Sequence, residues 1–567
     1  MDERGAARGR GPHGEGALYR GGIDCQCEPD LWVLLYRKLI ELRPNAAEAA
    51  NNLGVALVYQ GRNTEAESSF RRAVELKPAY PDGLNNLGLV LKKSGAADQA
   101  ISLYRRALEA DPTFADAMNN LGVALTERGA IEEAISLLRR AAERNPKNPE
   151  PLNNLGNALI ESDRLEEAIA ILRQALEIRP SYPEALNNLA IALRLSGTTD
   201  GAVAHLRCAL ELRPGYPEAY LNLGLCWREK GDIDEAIACN EKAIAGRPDL
   251  VEAHWNLALA RLLKGEFVAG FEGYEWRFRR AKGDRPRSYS QPRWSLASSS
   301  GRTVLIYAEQ GLGDTIQFAR YVPLVIKRGF KVVLEVQPPL TRLFGGVPGV
   351  VTVARGDRLP PFDYHIPLLS LPGIFVTRVE TIPSAGAYLS AAASQVAIWR
   401  ARFAAERNGL NVGLVWRGNP KHGNDRNRSI DPTLFAIPRL RLFSLQKEPR
   451  EGDLDGLRAF GPIEDLAPDL EDFAETAAAI TALDLSIAVD TSVTHLAGAL
   501  GKPVLILVPY SPDWRWLTRR TDSPWYRSAT LFRQPLPRDW PAAVEQLADA
   551  LRRKAANSPD APNPSPG

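Results

Sequence analysis

From residue 29 to about 280, apolar and small residues recur every three to four positions in stretches of about a dozen, broken by short polar turns. That spacing predicts amphipathic helices. Past residue 280 the period changes, and short apolar runs alternate with helical stretches. The runs are TVLIYAE (303–309), KVVLEV (331–336), VVTVA (350–354) and HIPLL (365–369), then NVGLVW (411–416), RLFSL (441–445), LSIAVD (485–490) and PVLILV (503–508). Thr315–Lys327 is predicted as a helix between the first two. Strands alternating with helices predict βαβ units and parallel sheets. Two such sets separated by a helix-rich bridge predict two Rossmann-like lobes facing a cleft. Ligands of such sheets bind beyond the carboxyl ends of the strands, which directs attention to the loops after 308, 416, 445 and 490.

The helical half is periodic on a longer scale. NNLG or a near-copy begins at 51, 85, 119, 153 and 187, weakening to LNLG at 221 and WNLA at 255, each step being 34 residues (85 − 51, 119 − 85). Pro44, Pro78, Pro112, Pro146, Pro180, Pro214 and Pro248 keep the same register, as do Ala66, Ala100, Ala134, Ala168, Ala202 and Ala236. This pattern resembles the tetratricopeptide repeat. Gly54 and Ala66 would let two antiparallel helices approach closely, and Pro78 would end the second. A half-repeat (29–46) precedes six full repeats (about 47–250), and a degenerate one (251–280) follows with Gly270 in place of the alanine. Stacked helix pairs build a superhelix whose concave groove is an interaction surface.

Successive helical residues lie ~100° apart, so neighbouring asparagines cannot both face inward beside Leu53, and one per repeat leaves the apolar seam. Asn52, Asn86, Asn120, Asn154, Asn188, Asn222 and Asn256 would form a ladder of amides. Such a ladder can hold the backbone of an extended peptide, or it can satisfy groups between neighbouring helices. The array is similar here to that of O-GlcNAc transferase, where such a ladder holds the protein substrate.

Composition narrows the field. The 567 residues carry 70 Lys plus Arg against 68 Asp plus Glu, a net charge of +2, and nothing in that balance calls for nucleic acid as partner. No stretch approaches the roughly 20 apolar residues of a membrane span. The N-terminus, MDERGAARGRGPHGEG, lacks the apolar run of a secretory signal. Five cysteines (25, 27, 208, 226, 239) make no disulfide framework in such a chain, and Cys208, Cys226 and Cys239 are expected as buried thiols. A reducing, cytoplasmic location is expected.

The loops carry the chemistry. In YAEQGLGDTIQF (307–318), Gly311 and Gly313 follow a strand and open a helix, and Glu335 stands where a ribose-binding carboxylate would. A dinucleotide site is disfavoured, because Ile316 replaces the third glycine and Asp314 would repel a pyrophosphate at the helix start. Asp314 can cap the helix and also act as a general base at the cleft mouth. In AVDTSVTHLAGALGKPV (488–504), Thr491 and Ser492 start a helix able to bind a diphosphate. His495 lies one turn in, within reach of phosphate or ribose unless it packs inside, and Asp490 either lines the site or caps the helix. LVWRGNPKHGNDRNRSI (414–430) gathers Arg417, Asn419, Lys421, His422, Arg426 and Arg428, able to neutralise a leaving diphosphate. Gln446 and Lys447 end the next strand. The pair Asp453 and Asp455 falls in a stretch expected as loop, and no metal motif is found. Trp514, Trp516 and Trp525 either cover the ligand or pack a crossing C-terminal segment.

WRGNPKHGNDRNRSI, VDTSVTHLAGALGKPV and EQGLGDTIQFARYVP resemble glycosyltransferase family 9, the heptosyltransferase group of GT-B fold, over about 290–550. The resemblance implies that Asp314 is the catalytic base, with Gln310, Gly311 and Gly313 forming the acceptor-side loop. It implies that Asp490, Thr491 and His495 hold the donor diphosphate, with Ser492 replacing the usual glycine. Lys421 or Arg417 would steady the phosphates, and the reaction would invert the anomeric centre. Asn419 and Gln446 complete the expected donor site. No cofactor is implied; a nucleotide-diphosphate sugar is the co-substrate, and a protein or peptide in the repeat groove is the expected partner.

The expected order is a disordered tail (1–28), a repeat α-solenoid (29–280), a linker (281–301), an N-terminal Rossmann-like lobe (302–383), a bridge (384–410), a nucleotide-sugar-binding lobe (411–555) and a disordered tail (556–567). The expected function is metal-independent sugar transfer to an acceptor recruited by the repeats. The alternative is an interaction scaffold whose two-lobed half binds nucleotide without turnover.

Overall fold

The structure, a computed structural model, describes residues 29–281, 283, 285–383, 386–404, 409–420, 425–435, 440–459 and 461–556. The tails expected over 1–28 and 557–567, and with them Cys25 and Cys27, lie outside the described residues. So do Lys421 and His422.

Helix follows helix from Pro29–Leu42 to Phe267–Tyr274, in the pairs that the 34-residue period predicts. In the first full repeat the helices span Ala47–Tyr59 and Asn63–Leu76, so the second stops two residues before Pro78. Gly54 is glycine because a Cβ there would lie 2.5 Å from the ring of Phe70. Ala66 and Ala73 are fully buried. The expectation that one asparagine per repeat leaves the seam does not hold in every repeat. Asn85 and Asn86 are both buried, as are Asn119 and Asn120. The seam tolerates them because they pair with each other. The amide nitrogens of Asn86, Asn120 and Asn154 donate to Oδ1 of Asn51, Asn85 and Asn119, each at 2.9 Å. Asn188 donates to Asn153 at 2.9 Å and Asn222 to Asn187 at 2.8 Å. Asn52 accepts from its neighbour Asn51 at 3.3 Å. Cys226 and Cys239 are buried, but Cys208 is exposed, on the outer face of Thr199–Leu212.

The described residues form two compact units, one ending at Cys226 and one beginning at Trp227. The second holds Ile233–Gly246, Val251–Lys264 and Phe267–Tyr274 together with two α/β lobes. The first lobe has β1 (Thr303–Tyr307), β2 (Lys331–Val336), β3 (Val350–Ala354) and β4 (Tyr364–Pro367), all parallel, in the order β3-β2-β1-β4. The second has β5 (Leu410–Val415), β6 (Leu440–Ser444), β7 (Ile463–Asp465), β8 (Leu485–Val489), β9 (Val504–Val508) and β10 (Ala529–Arg533). Their order, β10-β9-β8-β5-β6-β7, reverses between β5 and β8. The matching reversal in the first sheet lies between β1 and β4. The fold is therefore a helical repeat solenoid followed by α/β lobes.

β7 and β10 escaped the sequence reading: IED is too short to show a period, and ATLFR follows a Trp-rich stretch. The helix expected over Thr315–Lys327 is broken into Leu312–Phe318, a 3-10 turn and Val322–Lys327. Residues 285–301 run along the first sheet, with Trp294 buried and its N–H bonded to His365 O at 2.9 Å. Arg277 anchors the last repeat to this lobe. It is buried, bonds Glu309 Oε1 at 2.9 Å and Ser370 Oγ at 2.8 Å, and pairs with Glu275 at 2.7 Å. Among the described residues no helix is long and apolar enough to cross a membrane.

Replacing Gly54 with valine forces side-chain atoms into the Phe70 ring. Overpacking of this kind costs about 1–3 kcal/mol. The urea midpoint of the Gly54→Val chain should fall measurably, and an unchanged midpoint would contradict this packing.

Candidate functional site: a cleft between two helix starts

The two sheets turn the ends of β1, β5, β6 and β8 toward one cleft of about 1200 Å³. Its walls include Gly311, Gly313 and Asp314 from the first lobe. From the second lobe come Arg417, Asn419, Gln446 and the run Asp490, Thr491, Ser492, with His495 behind them. Asn256, from the last repeat, also lines it. Gln310 is set back, accepting a bond from Tyr274 Oη at 3.0 Å. The other six ladder asparagines belong to the first compact unit.

Two helices start at the cleft floor. Leu312–Phe318 is closed by Asp314, whose Oδ2 accepts the Gly311 N–H at 2.9 Å. Ser492–Ala499 follows β8 through Asp490 and Thr491. These helix starts nearly touch. A Cβ on Gly313 would sit 2.7 Å from His495 Cδ2 and 3.4 Å from Ser492 Cα. Glycine is required at 313 for this close approach.

The electrostatic centre is a residue that sequence reasoning missed. Arg515 is buried and forms an ion pair with Asp314 Oδ1. Its other nitrogens bond Gln317 Oε1 at 2.6 Å and Asp513 Oδ1 at 2.8 Å. Burial opposes ionisation of Asp513, but the Arg515 guanidinium and backbone N–H hold its carboxyl below the usual range. The available signal was an arginine set between two tryptophans in PDWRW: a charge inside a packing segment needs a buried partner. The tryptophans do pack. Trp514, Trp516 and Trp525 are buried, and Trp514 meets Phe267, Phe271 and Phe318 with ring centroids 5.6–6.3 Å apart.

His495 is buried beneath Trp516, the rings near-parallel at 13° and 5.6 Å apart. Its Nδ1 is hydrogen-bonded to Tyr526 Oη at 2.9 Å. Burial, helped by the Arg515 charge, pushes its pKa down to about 3. Nε2 stands 3.8 Å from Asp490 Oδ1, too far for a hydrogen bond. Burial, helped by the Asp513 charge, raises Asp490 to about 6.

Among the described residues of the basic loop after β5, Arg417 and Arg428 are tied down. Arg417 makes a bidentate pair with Asp453, 2.9 Å at both contacts, and its N–H reaches Gln446 Oε1 at 3.1 Å. Asp453 is no loop residue: it is buried, starts the helix Asp453–Arg458 and also accepts Trp416 Nε1 at 2.9 Å. Arg428 lies against Gly418 and donates to the Asp490 carbonyl at 2.9 Å. Lys447 lines the cleft, its Nζ donating to the carbonyls of Ala467 at 3.2 Å and Leu470 at 2.5 Å. Glu335 pairs with Arg287. Among the described residues no group of three or more His, Cys, Asp or Glu is arranged to hold a metal ion.

The shifted groups make opposite contributions to acid stability. His495 is charged in the unfolded chain below about 6.5 but in the fold only near 3, so its contribution to stability is lost as pH falls between those values. Asp490, ionising near 3.8 when unfolded and near 6 when folded, stabilises the fold as pH falls through that window. Asp490→Asn removes the compensating group. Its thermal midpoint should fall more steeply between about pH 6 and 4 than that of the parent chain, and parallel curves would contradict the assignment.

Residues 446–540 match the model of glycosyltransferase family 9 (heptosyltransferase). Tetratricopeptide repeat models match 56–95, 85–149, 125–190 and 193–262. Protein FlbA of Caulobacter vibrioides is 31% identical over 336 residues, 52% of this chain and 54% of FlbA. The chain therefore spans about half the length of that curated relative. Among solved structures, a thermophilic TPR protein of Thermus thermophilus, TTC0263, is 26% identical, covering 32% of this chain and 100% of that one at a TM-score of 0.31. YrrB, a TPR protein with an unusual peptide-binding site, is 24% identical over 33% of this chain and 96% of its own, at a TM-score of 0.27. A chain of the APC/C hetero-tetramer Cut9–Hcn1 is 21% identical over 41% of this chain and 46% of its own, at 0.38. The chain carries tetratricopeptide repeats followed by a C-terminal glycosyltransferase family 9 domain, and that domain supports glycosyl transfer in general.

Proposed function

We propose that the cleft transfers a sugar from a nucleotide-diphosphate donor to a hydroxyl of an acceptor recruited by the repeats. The observation that carries this reading is the meeting of Asp314 with the Ser492 helix start across Gly313. A base and an anion-binding helix start then face each other over one reacting centre. The acceptor oxygen attacks the anomeric carbon as its proton passes to Asp314. The bond from that carbon to the diphosphate breaks, the electron pair leaving with the diphosphate and the configuration inverting. Negative charge on the leaving group is met by the Ser492 helix start and the Arg428 guanidinium beside the Asp490 carbonyl, without need of a divalent cation. Arg417, neutralised by Asp453, shapes the loop that holds Asn419 and Gln446 in the cleft wall. Lys421, outside the described residues, retains its proposed part in steadying the phosphates.

One observation favours the second reading, a scaffold that binds nucleotide without turnover. Asp314 is ion-paired to Arg515, and the carboxylate oxygen that the guanidinium engages is not free to take up the acceptor's proton. The first reading accommodates the pair, because only Oδ1 is engaged by Arg515. Oδ2 accepts one backbone N–H and keeps capacity for a second bond.

Incubation with a panel of nucleotide-sugars, following released nucleotide, separates the two. Transfer that survives chelation and falls by about 10²–10⁴-fold in Asp314→Asn, with nucleotide affinity retained, is expected. Nucleotide binding with no turnover of any donor would establish the scaffold instead.

A further inference from the structure

The loop that carries Asp314 is held on one side by the last repeat. The helix Phe267–Tyr274 and the turn after it lie in the same compact unit as the two α/β lobes. Tyr274 is 1% exposed, its ring centroid 4.8 Å from that of Trp255 and 6.2 Å from that of Trp514. Phenylalanine would fill the same aromatic packing; the hydroxyl is what reaches Gln310, donating to Oε1 at 3.0 Å. In the following turn Arg277 donates to Tyr274 O at 3.1 Å as well as to Glu309 Oε1 at 2.9 Å. The repeat therefore holds two successive residues at the start of the loop, Glu309 through Arg277 and Gln310 through Tyr274. From Gln310 the bonds continue around the loop. Its carbonyl accepts Gln337 Nε2 at 2.8 Å, and Gln337 Oε1 accepts Thr315 Oγ1 at 2.8 Å. Thr315 follows Asp314 directly, and the Gly311 N–H between them and Gln310 bonds Asp314 Oδ2 at 2.9 Å.

We propose that Tyr274 is a positioning residue for the base: its hydroxyl fixes Gln310 and, with Gln337 and Thr315, the turn from which Asp314 faces the cleft. This inference rests on the transfer reading above. Two restraints then act on Asp314 at different atoms. Arg515 holds Oδ1 of the side chain, while the bonds that begin at Tyr274 hold the backbone from which that side chain projects. A general base must come within about 2.6–3.2 Å of the proton-bearing atom. Misplacing a catalytic group by about 1 Å can cost on the order of 10²-fold in rate. The Ser492 helix start belongs to the second lobe and takes no bond from this network, so losing the Tyr274 hydroxyl lowers turnover and spares donor binding. The last repeat then serves the chemistry itself, in addition to whatever the repeats recruit.

The test compares the full chain with Tyr274→Phe, which keeps the ring and removes the hydroxyl, with Gln310→Met, which removes its acceptor, and with the double variant. Nucleotide release is followed over a panel of ADP-, GDP- and UDP-sugars, well below the thermal midpoint of each chain, and the affinities for ADP, GDP and UDP are measured alongside. Tyr274→Phe should lower kcat about 10–100-fold, with the KM for the donor and the nucleoside diphosphate affinity as in the parent. The double variant should be no slower than the slower single variant, because both changes remove the same bond. A parental kcat in Tyr274→Phe, a loss confined to KM, or single losses that multiply in the double variant overturns the proposal. If the parent releases nucleotide from no donor, the transfer reading falls, and hydrogen exchange at the Gly311 amide decides whether the hydroxyl holds the loop. Faster exchange in Tyr274→Phe at the parent's thermal midpoint upholds that contact, and parental exchange overturns it.

Discussion

The guanidinium of Arg515 lies between two carboxylates that reach it from different lobes, Asp314 from the helix start after β1 and Asp513 from the segment after β9. Gln317 closes the third side. Arg515 is buried while both carboxylates keep some contact with solvent, so removing one of them leaves a largely desolvated guanidinium less well compensated. Its geometry therefore fixes the position of Asp314 relative to the second lobe. The same constraint appears at Gly313, where there is no room for a side chain between the two helix starts. Together they make the cleft floor a joint between lobes.

Around that joint the charges are sorted by burial. His495 is held neutral and Asp490 is raised toward neutrality, while Asp314 and Asp513 face an arginine. Arg417 is matched by Asp453. Of the described basic residues after β5, Arg417 pairs with Asp453 and Arg428 with Asp425, so the backbone N–H groups of the Ser492 helix start carry much of the anion-binding capacity proposed for the site.

The repeat period was legible because successive copies solve the same packing problem: Phe70, Tyr104, Leu138 and Leu172 enter the space left by Gly54, Gly88, Gly122 and Gly156. The long apolar strands were legible for the same reason, since parallel strands buried on both faces read as unbroken apolar runs. β7 was too short to carry a pattern, and Asp453 looked like loop because its neighbours are polar. Arg515 meets Asp314 across some two hundred positions, so the sequence showed a charge inside a packing segment but not which distant carboxylate it meets. The cleft's composition was visible loop by loop. What joins the loops was not, except at Gly311 and Gly313. The asparagines carried a second layer of meaning. Their pairing across repeats depends on both members, from Asn86 on Asn51 to Asn222 on Asn187.

A crystal structure of the full chain grown with a nucleoside diphosphate tests this account most directly. The account predicts the diphosphate against the Ser492 and Val493 amides, within reach of Arg428, with Asp314 facing the terminal phosphate across the cleft. A diphosphate bound elsewhere, with this cleft unchanged, would contradict it.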